Sequence, residues 1–191
     1  MRLFFAIMLP SAIQAQLGRF RQRCDWLPIR GQWTAQENLH ITVRFLGEAT
    51  DTLAADVCSA IRTEPPPVGP MQVRPDRLIY FPPTVPARVL GVGFAGDVQP
   101  MIVLQNHIET ICQILGLAPE NRPYVPHATL ARFRDGLQLR HKPQLERDAG
   151  LLAGTPAFGV NEFQLMQSFL DSSGPRYVKL ASWNLGRSTL G

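Results

Sequence analysis

The sequence predicts an α+β fold on three observations. Short apolar or alternating stretches are interleaved with stretches whose apolar residues recur at helical spacing. Two strand-like runs, Met71 to Phe81 and Arg88 to Phe94, flank the Pro82-Pro83 and Pro86 turn as a hairpin would. Finally, the order strand, helix, strand with His-x-Thr, helix in the first half is echoed by strands, helix, strand with His-x-Thr in the second. That echo suggests a duplicated architecture, although identity between the halves is low outside these tripeptides.

Arg2 to Leu9 reads as a buried strand, and Ser11 to Cys24 as a helix with Ile13, Leu17 and Phe20 on one face. After Trp33, Leu39 to Leu46 forms the next strand, ended by Gly47. Asp51 is the expected N-cap of a helix from Thr52 to about Arg62, since Leu53, Val57 and Ile61 share a face. Pro65-Pro66-Pro67 then breaks the chain. Following the hairpin, Gly96 and Asp97 precede a helix to about Leu115, with Pro100 tolerated in its first turn. Tyr124 to Phe133 is strand-like and Pro143 to Asp148 a short helix. Phe158 to Leu170 and Arg176 to Leu185 are strands around a Ser172-Ser173-Gly174 turn.

A chain of 191 residues fits one folding unit, or two intimately packed lobes, without disulfide or metal staples. The expected unit spans residues 1–191. Cys24, Cys58 and Cys112 are odd in number and widely spaced, with no Cys-x-x-Cys pair, so neither a disulfide framework nor a zinc site is expected and a reducing cytoplasm suits them. Leu3 to Leu9 is too short to span a bilayer or serve as a signal core. The net charge of +4, mostly from arginine, is compatible with an anionic partner but does not require one.

The chemistry is concentrated in His40-Ile41-Thr42-Val43 and His127-Ala128-Thr129-Leu130. Strand side chains alternate, so each His and its Thr share one face while the residues between them point into a core. One imidazole can take a proton from water while another protonates a leaving alkoxide, and hydroxyls beside them can donate to phosphate oxygens. Either tripeptide alone is an ordinary strand sequence. Two in like contexts arise by chance only about once in fifty such chains.

These blocks closely resemble the 2H phosphoesterase superfamily, in particular its RNA 2',3'-cyclic phosphodiesterase branch, also called 2'-5' RNA ligase. The resemblance includes Arg2 to Ile7, Asn38 to Gly47, Arg88 to Gly93, Arg122-Pro123, Pro126 to Arg132 and Tyr177 to Leu185. It implies a bilobal α+β fold in which two pseudo-symmetric antiparallel sheets, flanked by helices, hold the tetrads across a central cleft. It also implies hydrolysis of RNA 2',3'-cyclic phosphate ends to 2'-phosphomonoesters, with reversible 2'-5' joining of RNA ends. His40 and His127 are then the catalytic pair, and Thr42 and Thr129 bind substrate; no metal, other cofactor or obligatory protein partner is implied. The working assignment makes His127 the base and His40 the acid, an order that the sequence itself does not dictate. Two alternatives stay open: a small nucleotide cyclic phosphate as substrate, and an RNA-end-binding module without turnover.

Arg132 stands where the family commonly has a phosphate-binding arginine. Strict alternation from His127 nevertheless turns it to the opposite face, unless a bulge re-aims it. The same alternation puts Arg44 on the face of His40 and Thr42, where it is either a further substrate contact or a solvated or paired arginine. Tyr80, Phe81 and Tyr124 are candidate stacking platforms for a terminal base, although each reads more readily as a core or turn residue. His107 and His141 read as solvated or structural.

Overall fold

The computed structural model describes residues 1–27, 31–84, 86–171 and 174–186. It is an α+β fold of nine strands and four helices, with short 3-10 turns, among those residues. The strands are β1 (Arg2–Met8), β2 (Gly31–Trp33), β3 (His40–Glu48), β4 (Met71–Phe81), β5 (Ala87–Gly96), β6 (His127–Leu137), β7 (Phe158–Val160), β8 (Glu162–Asp171) and β9 (Gly174–Asn184). The helices are α1 (Ser11–Arg23), α2 (Asp51–Thr63), α3 (Val98–Ile114) and α4 (Lys142–Ala149).

The sheet is antiparallel throughout, in the order β7-β4-β5-β6-β3-β1-β8-β9, with β2 also on β6. Its halves carry one His-x-Thr each and meet at a single recorded pair, Ile41 with Ala128. The two expected sheets are thus joined at a seam. Past the seam β6 exchanges β3 for β2, through Ala131 with Trp33 and Phe133 with Gly31. Gly31 is needed there, because a Cβ would lie 2.5 Å from the Phe133 ring.

Asn161 alone separates β7 from β8, although they stand at the first and seventh positions of the sheet. Six flat strand spacings would cover about 29 Å, whereas two residues of extended chain reach about 7 Å. The sheet must therefore curl until its ends approach. Periodicity predicts a single strand from Phe158 to Leu170, because it carries no sign that the chain changes lobes at Asn161.

Helices α1 and α4 pack together, as do α2 and α3, which touches β3 and β4. One contiguous core runs beneath both halves, from Leu17 and Phe20 of α1 through Ile41, Val43, Ala128 and Leu130 to Leu104 and Ile108 of α3. The other sheet face carries the histidines and a small separate apolar cluster of Phe4, Ala6 and Met166, flanked by Tyr177.

Local corrections follow from side-chain and ladder chemistry. The α2 cap is Thr50 rather than Asp51, its hydroxyl accepting from the Leu53 N–H at 3.1 Å. β3 continues through Gly47 to Glu48, and β6 begins only at His127 and runs on to Leu137, where β5 still supplies partners. β2 has too short a run to be read from sequence. The Ser172-Ser173 part of the expected turn lies outside the described residues.

Candidate active site

The pairing of Ile41 with Ala128 organises the site. In antiparallel register it sets His40 opposite Thr129 and Thr42 opposite His127, with all four on the face away from the core. Ile41 and Ala128 are fully buried beneath them. The tetrads that are far apart in sequence therefore become cross-strand neighbours around a local two-fold.

Each ring is held alike. Nδ1 of His40 lies 2.7 Å from the carbonyl oxygen of Asn38, and Nδ1 of His127 lies 2.7 Å from that of Val125. A carbonyl only accepts, so Nδ1 carries the hydrogen and Nε2 is left as the reactive nitrogen of the neutral ring. The two then differ. Nε2 of His40 is 3.0 Å from the Thr42 hydroxyl, whereas Nε2 of His127 has no hydrogen-bond partner among the described residues. Phe4 and Tyr177 flank the His40 ring with centroids 5.0 and 5.3 Å away, and Phe81 lies 4.7 Å from His127. Gly91 leaves room for the second ring, because a Cβ there would come within 3.1 Å of His127 Cδ2.

Bulges decide where the arginines point. In β6, Gly91 pairs with Thr129 and Leu90 with Ala131, so Leu130 is an extra residue and alternation resets. Leu130 and Ala131 are consecutively buried and Arg132 returns to the histidine face. Its positive charge opposes protonation of His40 and His127 and favours ionisation of Tyr177.

β3 repeats the irregularity at Val43, between the pairs Ala6 with Thr42 and Phe5 with Arg44. Arg44 is consequently turned away from His40, which corrects the alternation-based reading. It is only 8% exposed and ion-pairs with Glu109 of α3 while donating to the carbonyls of Phe45 and Ala118. Burial opposes ionisation of Glu109, but hydrogen bonds from Gln113 and the Glu120 N–H, with the Arg44 charge, hold its carboxyl below the usual range.

Other candidates are drawn into structure. Tyr124 is occupied by a 3.1 Å hydrogen bond to the Thr42 carbonyl across the seam, and Tyr80 donates to Glu146 beneath Lys142. His107 is bonded to the Glu64 carbonyl, and His141 is buried beside Arg140 and Trp26. Phe81 alone of the three proposed aromatics lies against a catalytic-candidate histidine. Among the described residues no three His, Cys, Asp or Glu side chains converge as metal ligands would, and no helix is long and apolar enough to cross a membrane.

Desolvation by burial pushes His40 below its ordinary 6.5, and the charges of His127 and Arg132 add to this against the hydrogen bond to Asn38. His127 is lowered likewise by burial and by Arg132, against its bond to Val125. Both folded values lie below the unfolded one, so below about pH 6.5 the unfolded chain binds more protons. Stability is therefore expected to fall as pH drops through the ordinary histidine range. Urea midpoints from about pH 8 to about pH 5 should show this decline, and a His40→Gln, His127→Gln double variant a shallower one.

The family model described as LigT-like phosphoesterase matches residues 7–91 and 95–177, with one tetrad in each segment. The chain belongs to that family. Relatives of this LigT-like phosphoesterase include an Aeropyrum pernix RNA 2',3'-cyclic phosphodiesterase, 29% identical over 86% of this chain and 92% of that one. An Aquifex aeolicus protein of the same name is 26% identical over 97% of each chain. The crystal structure of Escherichia coli LigT complexed with 3'-AMP superposes with a TM-score of 0.77 at 26% identity, covering 97% of this chain and 98% of that one.

Proposed function

We propose that this LigT-like phosphoesterase hydrolyses RNA 2',3'-cyclic phosphate ends to 2'-phosphomonoesters through its two histidines, with no metal in the reaction. The observation that carries the reading is the pair of His–Thr units set in register across the seam, with Arg132 returned to their face by the β6 bulge. The names borne by full-length relatives support the substrate class.

Nε2 of His127, which has no hydrogen-bond partner among the described residues, takes a proton from water as the water oxygen bonds to phosphorus. The P–O3' bond breaks, and Nε2–H of His40 protonates the departing oxygen. Thr42 supports that role, since its hydroxyl can accept from the protonated ring. Arg132 and the threonine hydroxyls offset charge on the non-bridging oxygens as it develops. If the 5'-hydroxyl of a second RNA replaces water, the same displacement leaves a 2'-5' linkage, and its reversal restores the cyclic end. A reducing cytoplasm suits the three free cysteines.

The test is incubation of an RNA ending in a 2',3'-cyclic phosphate, and separately of a mononucleotide 2',3'-cyclic phosphate, with protein and excess chelator. A 2'-phosphate product is expected from the RNA. A 3'-phosphate would reverse the leaving group, a requirement for added metal would remove the metal-free mechanism, and binding without turnover would leave an RNA-end-binding module. Strong preference for the mononucleotide would move the substrate to small cyclic nucleotides.

A further inference from the structure

We propose that Asn38 is a positioning residue for His40: its side chain is bonded to β9 while its carbonyl holds the imidazole, so the β8–β9 hairpin fixes the direction in which His40 Nε2 points. The role in catalysis rests on the RNA-end reading above, whereas the positioning itself does not. The two histidines already differ here in sequence. The carbonyl that meets Nδ1 comes from the residue two before each histidine, which is Asn38 in one half and Val125 in the other. A valine side chain has nothing to donate.

Asn38 Nδ2 donates to the Pro175 carbonyl at 2.7 Å, and the Asn38 carbonyl lies 2.7 Å from His40 Nδ1. A chain of two hydrogen bonds thus runs from β9 to the ring. The contact is not local. Asn38 comes before the His40–Met8 pair and Pro175 lies past the Ser168–Arg2 pair, so in a flat sheet the length of β1, about 20 Å, would separate them. The β8–β9 ladder continues to Leu170 and Pro175, beyond the last β1 partner at Ser168, and this free end must curl over the histidine face to reach Asn38. Tyr177, on the same face of β9 as Pro175, meets the His40 ring edge-on at 5.3 Å and 89°.

Without that tie, the carbonyl belongs to a three-residue 3-10 turn, Gln36–Asn38, closed by a Leu39 N–H bond to the Gln36 carbonyl of 3.2 Å. Such turns have poor hydrogen-bond geometry and are a weak frame by themselves. A proton donor has to meet one particular leaving oxygen, and misplacing a reacting group by about 1 Å costs about 100-fold in rate. A base that takes its proton from water has more latitude, because the water moves with it. The ring tied to β9 is therefore the one whose aim matters more.

The experiment compares the parent with Asn38→Ala, Asn38→Ser and Asn38→Gln by two readouts: the pH dependence of kcat and KM on an RNA 2',3'-cyclic phosphate, and NMR titration of the histidine Cε1–H signals. Alanine and serine lack a donor that reaches Pro175, so the test does not hang on one substitution being tolerated; glutamine keeps the carboxamide. In the first two, kcat is expected to fall about 10- to 100-fold with KM within about 2-fold, and Asn38→Gln should recover part of the loss. The groups that face His40 are His127 and Arg132 of β6, Tyr177 of β9 and Phe4 of β1, and none is altered by these substitutions. What changes is the Nδ1 bond, which favours the charged ring. Its loosening should lower the His40 titration and carry the basic limb of kcat/KM to lower pH, while His107 and His141 do not move. A parent-like kcat in Asn38→Ala and Asn38→Ser, or an unmoved His40 titration there, overturns the proposal. If the parent turns over no RNA while the His40 titration still falls in the variants, the positioning stands and the RNA-end reading fails.

Discussion

His127→Ala is expected to lower kcat/KM on a cyclic-phosphate RNA end by about 10²- to 10⁴-fold, and His40→Ala by a similar factor. The double variant should be little worse than the poorer single one, because acid and base act on one displacement and their losses do not add. Both rings lie on the open face over a buried Ile41–Ala128 floor, so the folded state should survive the substitutions. Full activity in either single variant would end the two-histidine mechanism.

The pH profile separates the roles. His127 must be neutral to accept a proton, so activity falls below its value, and His40 must be charged to donate, so activity falls above its own. Since folding lowers both, kcat/KM should peak on the acid side of neutrality. An anionic phosphate beside His40 favours its charged form, so the basic limb of kcat should lie at higher pH than that of kcat/KM. His127→Ala should remove the acid limb and His40→Ala the basic one. The opposite pattern would exchange acid and base.

Arg44→Ala should cost about 3–5 kcal/mol of folding stability, because it leaves Glu109 charged in a largely buried place and removes a donor from two carbonyls. Replacing both partners by methionine should recover much of that loss, since an apolar pair of similar volume leaves no unpaired charge. Denaturant midpoints measure both effects. The alternation-based reading of Arg44 as a substrate contact predicts something else: an unchanged midpoint with a raised KM. The two readings therefore cannot both survive one pair of titrations and kinetic curves.

The neighbouring positions 43–45 and 130–132 show why sequence resolved one level and missed the next. Alternation correctly put His40 with Thr42 and His127 with Thr129 over apolar supports, because that pattern is local to three residues. It misplaced Arg44 and left Arg132 undecided because one extra residue in a ladder reverses every face beyond it. Tyr177 and Phe4 had no local signal, since they meet His40 from other strands.

From sequence alone came the α+β class, most of the helices and strands, the doubled His-x-Thr pattern and the superfamily. All of these are written in side-chain periodicity and residue type over a few positions. Tertiary structure alone decided that the halves share one curled sheet, that Ile41 and Ala128 bring the tetrads into register, and that Arg132 faces them while Arg44 is spent on Glu109. Those outcomes depend on which edges pair and where a ladder slips, and such non-local competition for backbone hydrogen bonds leaves little trace in local periodicity.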